Sequence, residues 1–290
     1  AEYVTGYWGT LLQVGDYKDS SNKNFANLTL NVVVNGNDTT NILNLNDIYK
    51  LGIVGIDVNY GNLIFDKNSG IEGFNNKLYT HIVYLRNEES KVTINECNFF
   101  AKNNFGTNII YAENNASKII INGGTFENNT QQYMGEDNFA SLIYGGNITI
   151  KNAKFVNNFV LNDDIDANNS VIKLNENGVL NIEDCVFISN LGTLGGIICA
   201  ENNANILIKN SQFINNNVVS AGGVIYLSGN NVLDINNSIF TGNSAKAGGA
   251  IFGLNGNEIE IEDSIFSENS ALDSYVIGET EYFGGGAILL

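Results

Sequence analysis

The carboxylates Asp234, Glu258, Glu260 and Glu262 fall within one short stretch and are the residues of this chain best grouped for chemistry. Hydrolysis of a glycosidic bond needs two opposed carboxyl groups, about 5.5 Å apart with retention or about 6.5–9.5 Å apart with inversion. A second acidic run, Asp163-Asp164-Ile165-Asp166, offers the hard oxygen donors that calcium prefers, but without the frame or the glycine of an EF-hand loop. A solvated acidic surface is the simpler reading of both groups. Other reactive side chains are sparse. His81 is the one histidine and Arg86 the one arginine, so a nucleophile–His–acid triad has little to be built from. Cys97, Cys185 and Cys199 make no Cys-x-x-Cys or Cys/His constellation, which argues against structural zinc, and they are expected as small buried hydrophobes.

What must position these groups is a repeat. Ile206-Leu207-Ile208-Lys209-Asn210-Ser211-Gln212-Phe213 superimposes on Leu233 to Phe240 and on Ile259 to Phe266, and the same frame fits Leu180 to Phe187, Ile148 to Phe155, Ile119 to Phe126 and Val92 to Phe99. Phe99, Phe126, Phe155, Phe187, Phe213, Phe240 and Phe266 form an unbroken column with steps of 27, 29, 32, 26, 27 and 26 residues. A period in this range marks a solenoid. Aliphatics at every second position, alternating with polar residues such as Thr93, Thr149, Asp234 and Glu260, mark strands and not helices. The chain is therefore expected to be all-β: a right-handed parallel β-helix with three short strands in each coil of about 26–32 residues. Stacking at about 4.8 Å per coil separates Cys97 from Cys185 by three coils, ~14 Å, beyond disulfide reach. The same stacking places Asp234 beside Glu260 and sets Lys151, Glu183 and Lys209 as a plus–minus–plus ladder.

The third strand of each coil follows paired glycines, as in Gly222-Gly223-Val224-Ile225-Tyr226 and Gly248-Gly249-Ala250-Ile251-Phe252. Two coils carry extra residues before this strand, at 131–139 and 162–169. Insertions in a solenoid loop out on one face, often the binding face. Tyr133, Met134 and Phe139 on one insertion, and Asp163, Asp164 and Asp166 on the other, are therefore the candidate binding residues. Residues 1–60 do not fit the frame and are expected to cap the open end, with Tyr3, Tyr7, Trp8 and Tyr17 as plugging or contact aromatics. Leu63-Ile64-Phe65 is expected to open the solenoid of residues 61–290, and a Gly-Gly-Ala-Ile strand at Leu290 predicts further coils beyond it. The missing initiator Met and leader predict a signal peptide that was either removed or lies outside this sequence.

The pairing of Phe-x-x-Asn (Phe126/Asn129, Phe155/Asn158, Phe187/Asn190, Phe213/Asn216, Phe240/Asn243, Phe266/Asn269) with Gly-Gly-Ala-Ile resembles the polymorphic outer-membrane-protein repeat of chlamydial autotransporters. It also resembles the adhesin-like proteins of methanogenic archaea. The first copy departs, with Phe100/Asn103 in the motif and Phe99 in the column. The resemblance spans roughly residues 80–290 and implies an extracellular, cell-surface adhesin whose partner is a cell-surface protein or a glycan. A β-helix carbohydrate-active enzyme (polysaccharide lyase or glycoside hydrolase) and a passive spacer of a larger surface protein are the alternatives. A single arginine weakens the lyase alternative.

Fourteen basic residues against thirty-one acidic ones give a formal charge of −17, a field that repels nucleic acid and anionic membrane surfaces. No apolar run is long enough to span a bilayer, so no direct membrane insertion is expected, and no motif implies a cofactor. Proline is absent and asparagine abundant, a composition suited to many left-handed turns. Asn-x-Ser/Thr occurs at Asn27, Asn37, Asn115, Asn128, Asn147, Asn168 and Asn236, of consequence where secreted proteins are glycosylated.

Overall fold

The computed structural model describes residues 81–100, 108–133, 141–162 and 169–290, together with strands 9–14, 29–32, 42–44, 53–58, 61–65 and 70–72. Among them, regular structure is all β. Parallel strands stack coil upon coil into a β-solenoid. One coil shows the plan: Asn205–Lys209, Gln212–Ile214, Asn217–Val218 and Ile225–Ser228. Each pairs in parallel with its counterpart one coil on, Val232–Asn236, Ile239–Thr241, Ser244–Ala245 and Ile251–Leu254. The three expected strands are present, and a further short strand turns the corner between the second and the third.

Side-chain alternation fills the interior. Ile206, Ile208, Leu233 and Ile235 are buried, whereas Leu207 and Asp234 between them face outward. The phenylalanine column is a stack: Phe126, Phe155, Phe187, Phe213 and Phe240 are fully buried, with successive ring centroids 4.5, 4.8, 4.9 and 4.6 Å apart and planes nearly parallel. Face-to-face stacking is not the arrangement aromatic pairs choose freely. It is imposed here by the coil rise, to which each ring is tied through its own backbone.

The asparagine of Phe-x-x-Asn locks that rise. Asn216 is buried; its Nδ2 donates to the Phe187 carbonyl at 3.0 Å and to Asn243 Oδ1 at 3.1 Å, while its Oδ1 accepts from Asn190 N and Nδ2, both at 3.0 Å. The same bonds recur at Asn158, Asn190 and Asn243, so each amide satisfies backbone groups that the corner would leave bare. Ser211 and Ser238 do likewise at the preceding corner, each hydroxyl accepting the amide N–H of the small residue one coil back.

Both corners need left-handed backbone. Asn152, Asn210, Asn237, Asp184 and Asp263 hold positive φ before the small column, and Asn128, Asn157, Asn215 and Ser189 hold it before the asparagine column. Asparagine and aspartate tolerate this conformation better than other side chains, which gives the asparagine excess a structural cause. The paired glycines answer a second constraint: Gly222 has a φ of +70°, and a Cβ there would overlap the Ile225 carbonyl. A shorter connection occurs within Ser141–Val156, where the third strand runs straight into the next first strand through Gly145-Gly146. The flanking coils close over it, Asn175 Nδ2 donating to Asn115 Oδ1 at 2.7 Å and Asn115 Nδ2 to the Glu176 carbonyl at 2.8 Å. A Cβ at Gly146 would run into the Asn115 backbone.

The ladders also reach into the segment assigned to the cap. Gly9–Val14 pairs with Ile53–Val58, which pairs with Val83–Leu85; Thr29–Val32 pairs with Gly61–Phe65, which pairs with Ser90–Phe100. Leu63 and Phe65 stand in the aliphatic columns over Val92 and Ile94, as Leu63-Ile64-Phe65 suggested. Uneven coil lengths hide the period upstream: Gly9 and Ile53 are register partners 44 residues apart. Tyr3, Tyr7, Trp8 and Tyr17 lie outside the described residues.

Phe213→Ala is expected to cost ~3–5 kcal/mol through the cavity it leaves. Asn216→Ala is expected to cost about 2 kcal/mol or more, because it strands the Asn190 amide and the Phe187 carbonyl. Urea melts measure both, and a loss below about 1 kcal/mol in either would contradict the assigned column.

Candidate functional site

Departures from the repeat gather at one corner. Thr130–Tyr133 pairs in parallel with Phe159–Asn162, so Tyr133 and Asn162, at the roots of the two expected insertions, are register partners. The chain rejoins the ladders at Ser141 and Ser170, again register partners. The two insertions therefore leave and return at stacked positions, one coil apart. Beyond the strand position of Tyr133, the candidate residues Met134, Phe139, Asp163, Asp164 and Asp166 lie outside the described residues.

A third insertion, not anticipated, leaves from the same corner. Ser274–Ile277 and Thr280–Phe283 form an antiparallel hairpin between the corner strand Ser270–Ala271 and the third strand Ile288–Leu289. Its signal was present in the glycine spacing, since Gly248 to Gly285 is 37 residues against 26 for Gly222 to Gly248. Tyr275 and Tyr282 of the hairpin meet Phe252 edge-on at 5.9 and 5.5 Å.

Phe252 belongs to the outward column of the third strand, which runs Asp57, Tyr84, Tyr111, Tyr144, Lys173, Cys199, Tyr226, Phe252, Leu289. Towards the C-terminal coils, corner residues Leu194, Ala221, Ala247 and Tyr275 cover this column and make a second small core outside the main one. Upstream, Tyr84, Tyr111 and Tyr144 of the column are partly exposed. His81 stacks on Tyr111 at 4.2 Å, Tyr111 stacks on Tyr144 at 4.8 Å, and Tyr84 tilts against both His81 and Tyr111 at 5.4 Å. Tyr144 and Lys173 each stand three residues after the point where an insertion rejoins the ladder. The sequence reading missed this strip because alternation alone does not reveal which outward residues a corner leaves uncovered.

The charged groups around the strip are tied down. Arg86 Nε bonds both carboxylate oxygens of the buried Asp57, at 2.8 and 2.7 Å, and its guanidinium lies 4.2 Å from the Tyr84 ring centre. Burial raises the Asp57 carboxyl against the pull of Arg86. The Tyr84 hydroxyl donates to Glu113 at 2.6 Å, and burial together with that carboxylate holds the phenol well above its ordinary range. Lys173 is buried and meets Glu201 at 3.5 Å. His81, for which the sequence offered no obvious partner, is part of the ring stack, and burial pulls its imidazole down to about 4 even though a bond with Asn108 favours the proton.

Elsewhere, Lys151 meets Glu183 at 2.6 Å, with Lys209 the next residue in register, as the plus–minus–plus ladder required. The three cysteines are buried and unbridged, and burial pushes the Cys185 thiol up to about 11 and Cys199 up to about 12. Asp234 and Glu260 are register partners on adjacent coils; with Glu258 they line one end of an open groove of about 420 Å³. Glu262 lies outside its lining and accepts from Asn236 Nδ2 at 3.2 Å. Among the described residues no group of three or more His, Cys, Asp or Glu is arranged to hold a metal. Compared with known proteins, the chain matches no family model, no curated protein and no solved structure.

The His81 shift sets a pH dependence. With a folded value near 4 against 6.5 unfolded, the unfolded chain takes up the proton first, so the His81 contribution to stability is lost as pH falls from 6.5 to 4. Asp57, raised by burial, acts with the opposite sign, its contribution being lost as pH rises through its folded value. As the single histidine, His81 can be titrated by its ring-proton NMR shifts; a midpoint near 4 is expected, and one between 6 and 7 would place the imidazole in solvent.

Proposed function

We propose that this chain is an adhesin-like attachment module of the cell surface, with a cell-surface protein or glycan held on the corner strip. One observation carries the reading. The insertions at 131–139 and 162–169 leave and return at stacked positions, directly before Tyr144, partly exposed and stacked on Tyr111, and its buried register partner Lys173. Coil faces in a solenoid are nearly alike, so specificity belongs to the places where the repeat is broken. Aromatic rings fixed by stacking and charges fixed by pairing lose little freedom on binding, which favours recognition of a rigid partner.

Support for attachment over turnover comes from what the reactive groups are doing. His81 is packed in a ring stack, Arg86 is committed to Asp57, and the thiols are held protonated by burial. The Phe-x-x-Asn and Gly-Gly-Ala-Ile resemblance supports an extracellular setting. Passive spacing is the reading that an inert corner strip would favour.

Shortening both insertions to the 26-residue coil length should leave the β circular dichroism unchanged while abolishing binding on a glycan and cell-surface protein array. Unchanged binding by the folded, trimmed protein would locate the site elsewhere. No release of unsaturated or reducing sugars from pectin or alginate is expected beyond that of the Asp234→Asn/Glu260→Gln variant; release above that control would overturn the attachment reading.

A further inference from the structure

A second surface lies on a different face from the corner strip. It is the open groove on the outward side of the first-strand ladder, lined by Val179, Leu207, Val232, Asp234, Glu258 and Glu260 beside the amides of Asn181 and Asn205. Val179 and Val232 are each 40% exposed on this face. Outward strand positions in contact with water normally go to polar residues, as Thr93 and Thr149 show upstream in the column of Leu207, on either side of Ile120. Val179, Leu207 and Val232 lie on three successive coils in two adjacent outward columns, with Asn205 between Val179 and Val232, and make an apolar floor with nothing from the described residues packed over it.

Charge divides the groove. The carboxylates of Asp234, Glu258 and Glu260 have no hydrogen-bond or ion-pair partner among the described residues. Asp234 stands between Leu207 and Glu260 in its column, so no cation is its direct register partner. Lys151 and Lys209 lie on the same sheet but flank Glu183 in another column. One end of the groove is thus aliphatic and the other holds three carboxylates that no described residue neutralises, in a protein whose formal charge is −17.

We infer that this groove docks an extended, basic peptide segment of a protein partner, with an aliphatic side chain over Val179 and Arg or Lys heads among Asp234, Glu258 and Glu260. From Val179 to Glu258 is three coil steps, ~14 Å, the span of about four residues of extended chain. Long cationic side chains suit it, because their methylene stems lie on apolar surface while the charged heads reach the carboxylates. Arg is favoured over Lys, its planar fork being able to bridge the adjacent Asp234 and Glu260. Charge complementarity selects this occupant over an anionic glycan, which the same carboxylates repel.

The test uses the full chain and the labelled tetrapeptides Val-Thr-Arg-Arg, Val-Thr-Glu-Glu and Gly-Ser-Arg-Arg, followed by NMR shift perturbation at 0.15 M salt. Val-Thr-Arg-Arg is expected to perturb the groove and to bind at least tenfold tighter than either of the others. Asp234→Asn/Glu260→Gln and, separately, Val232→Ser should each weaken it by tenfold or more; both changes are on the surface, so the β circular dichroism should persist. Binding that survives in the insertion-trimmed protein separates this groove from the corner strip, so either proposal can fail without the other. Equal binding of Gly-Ser-Arg-Arg would reduce the effect to unspecific charge attraction and overturn the inference. So would displacement of the peptide by millimolar calcium with the carboxylates as its ligands, or a chain dimer that the same variants dissolve.

Discussion

Everything in this molecule hangs on a single repeated distance, the step between hydrogen-bonded parallel strands. Once each coil is bonded to the next along its strands, a residue in one coil sits directly over its equivalent in the next. A side chain that fits one level must fit the level above it. The phenylalanine stack shows the force of that constraint, since five buried rings adopt the face-to-face geometry that free aromatic pairs avoid. Dispersion with neighbouring aliphatics and removal from water outweigh the unfavourable ring electrostatics.

Corners are where such an architecture is vulnerable, because turning the chain interrupts the backbone bonds. The asparagine column removes the problem by copying the peptide group: each side-chain amide donates and accepts along the stacking axis as the backbone does. Buried donors and acceptors left unmet cost about 1–3 kcal/mol each, so one amide per coil is a large term in a marginally stable fold. Left-handed residues beside it are the steric consequence, and they are mostly asparagine and aspartate for that reason.

A scaffold held so tightly leaves only its outside free to vary. Outward columns are filled with charge pairs (Lys151 with Glu183, Lys173 with Glu201), with the stacked rings of His81, Tyr111 and Tyr144, or with the aliphatic and acidic residues of the groove. Loop insertions enter at one corner, where the short corner strand hands over to the third strand and the ladder tolerates extra length. The hairpin at Ser274–Phe283 exploits the same position and covers Phe252. Recognition can thus change from coil to coil while the interior stays the same.

The sequence by itself determined the solenoid, the strand frame, the phenylalanine core, the asparagine column and the Lys151–Glu183 pairing. Each of these is a matter of period and alternation, and a repeat prints both in the chain. It also placed the two insertions one coil apart, since coil length is countable. Tertiary structure decided the rest. The upstream ladders were hidden because unequal coils erase the period, although strand pairing does not need equal lengths. The fate of His81 and Arg86 depended on neighbours 27 and more residues away, Asn108, Tyr111 and Asp57, which are adjacent only after stacking. Above all, an outward residue reads the same in sequence whether it is covered, paired or bare. Only the packed corner distinguishes the covered Phe252 from the half-exposed Tyr144, and only the stacked coils bring Val179, Leu207, Val232 and Asp234 together into a groove.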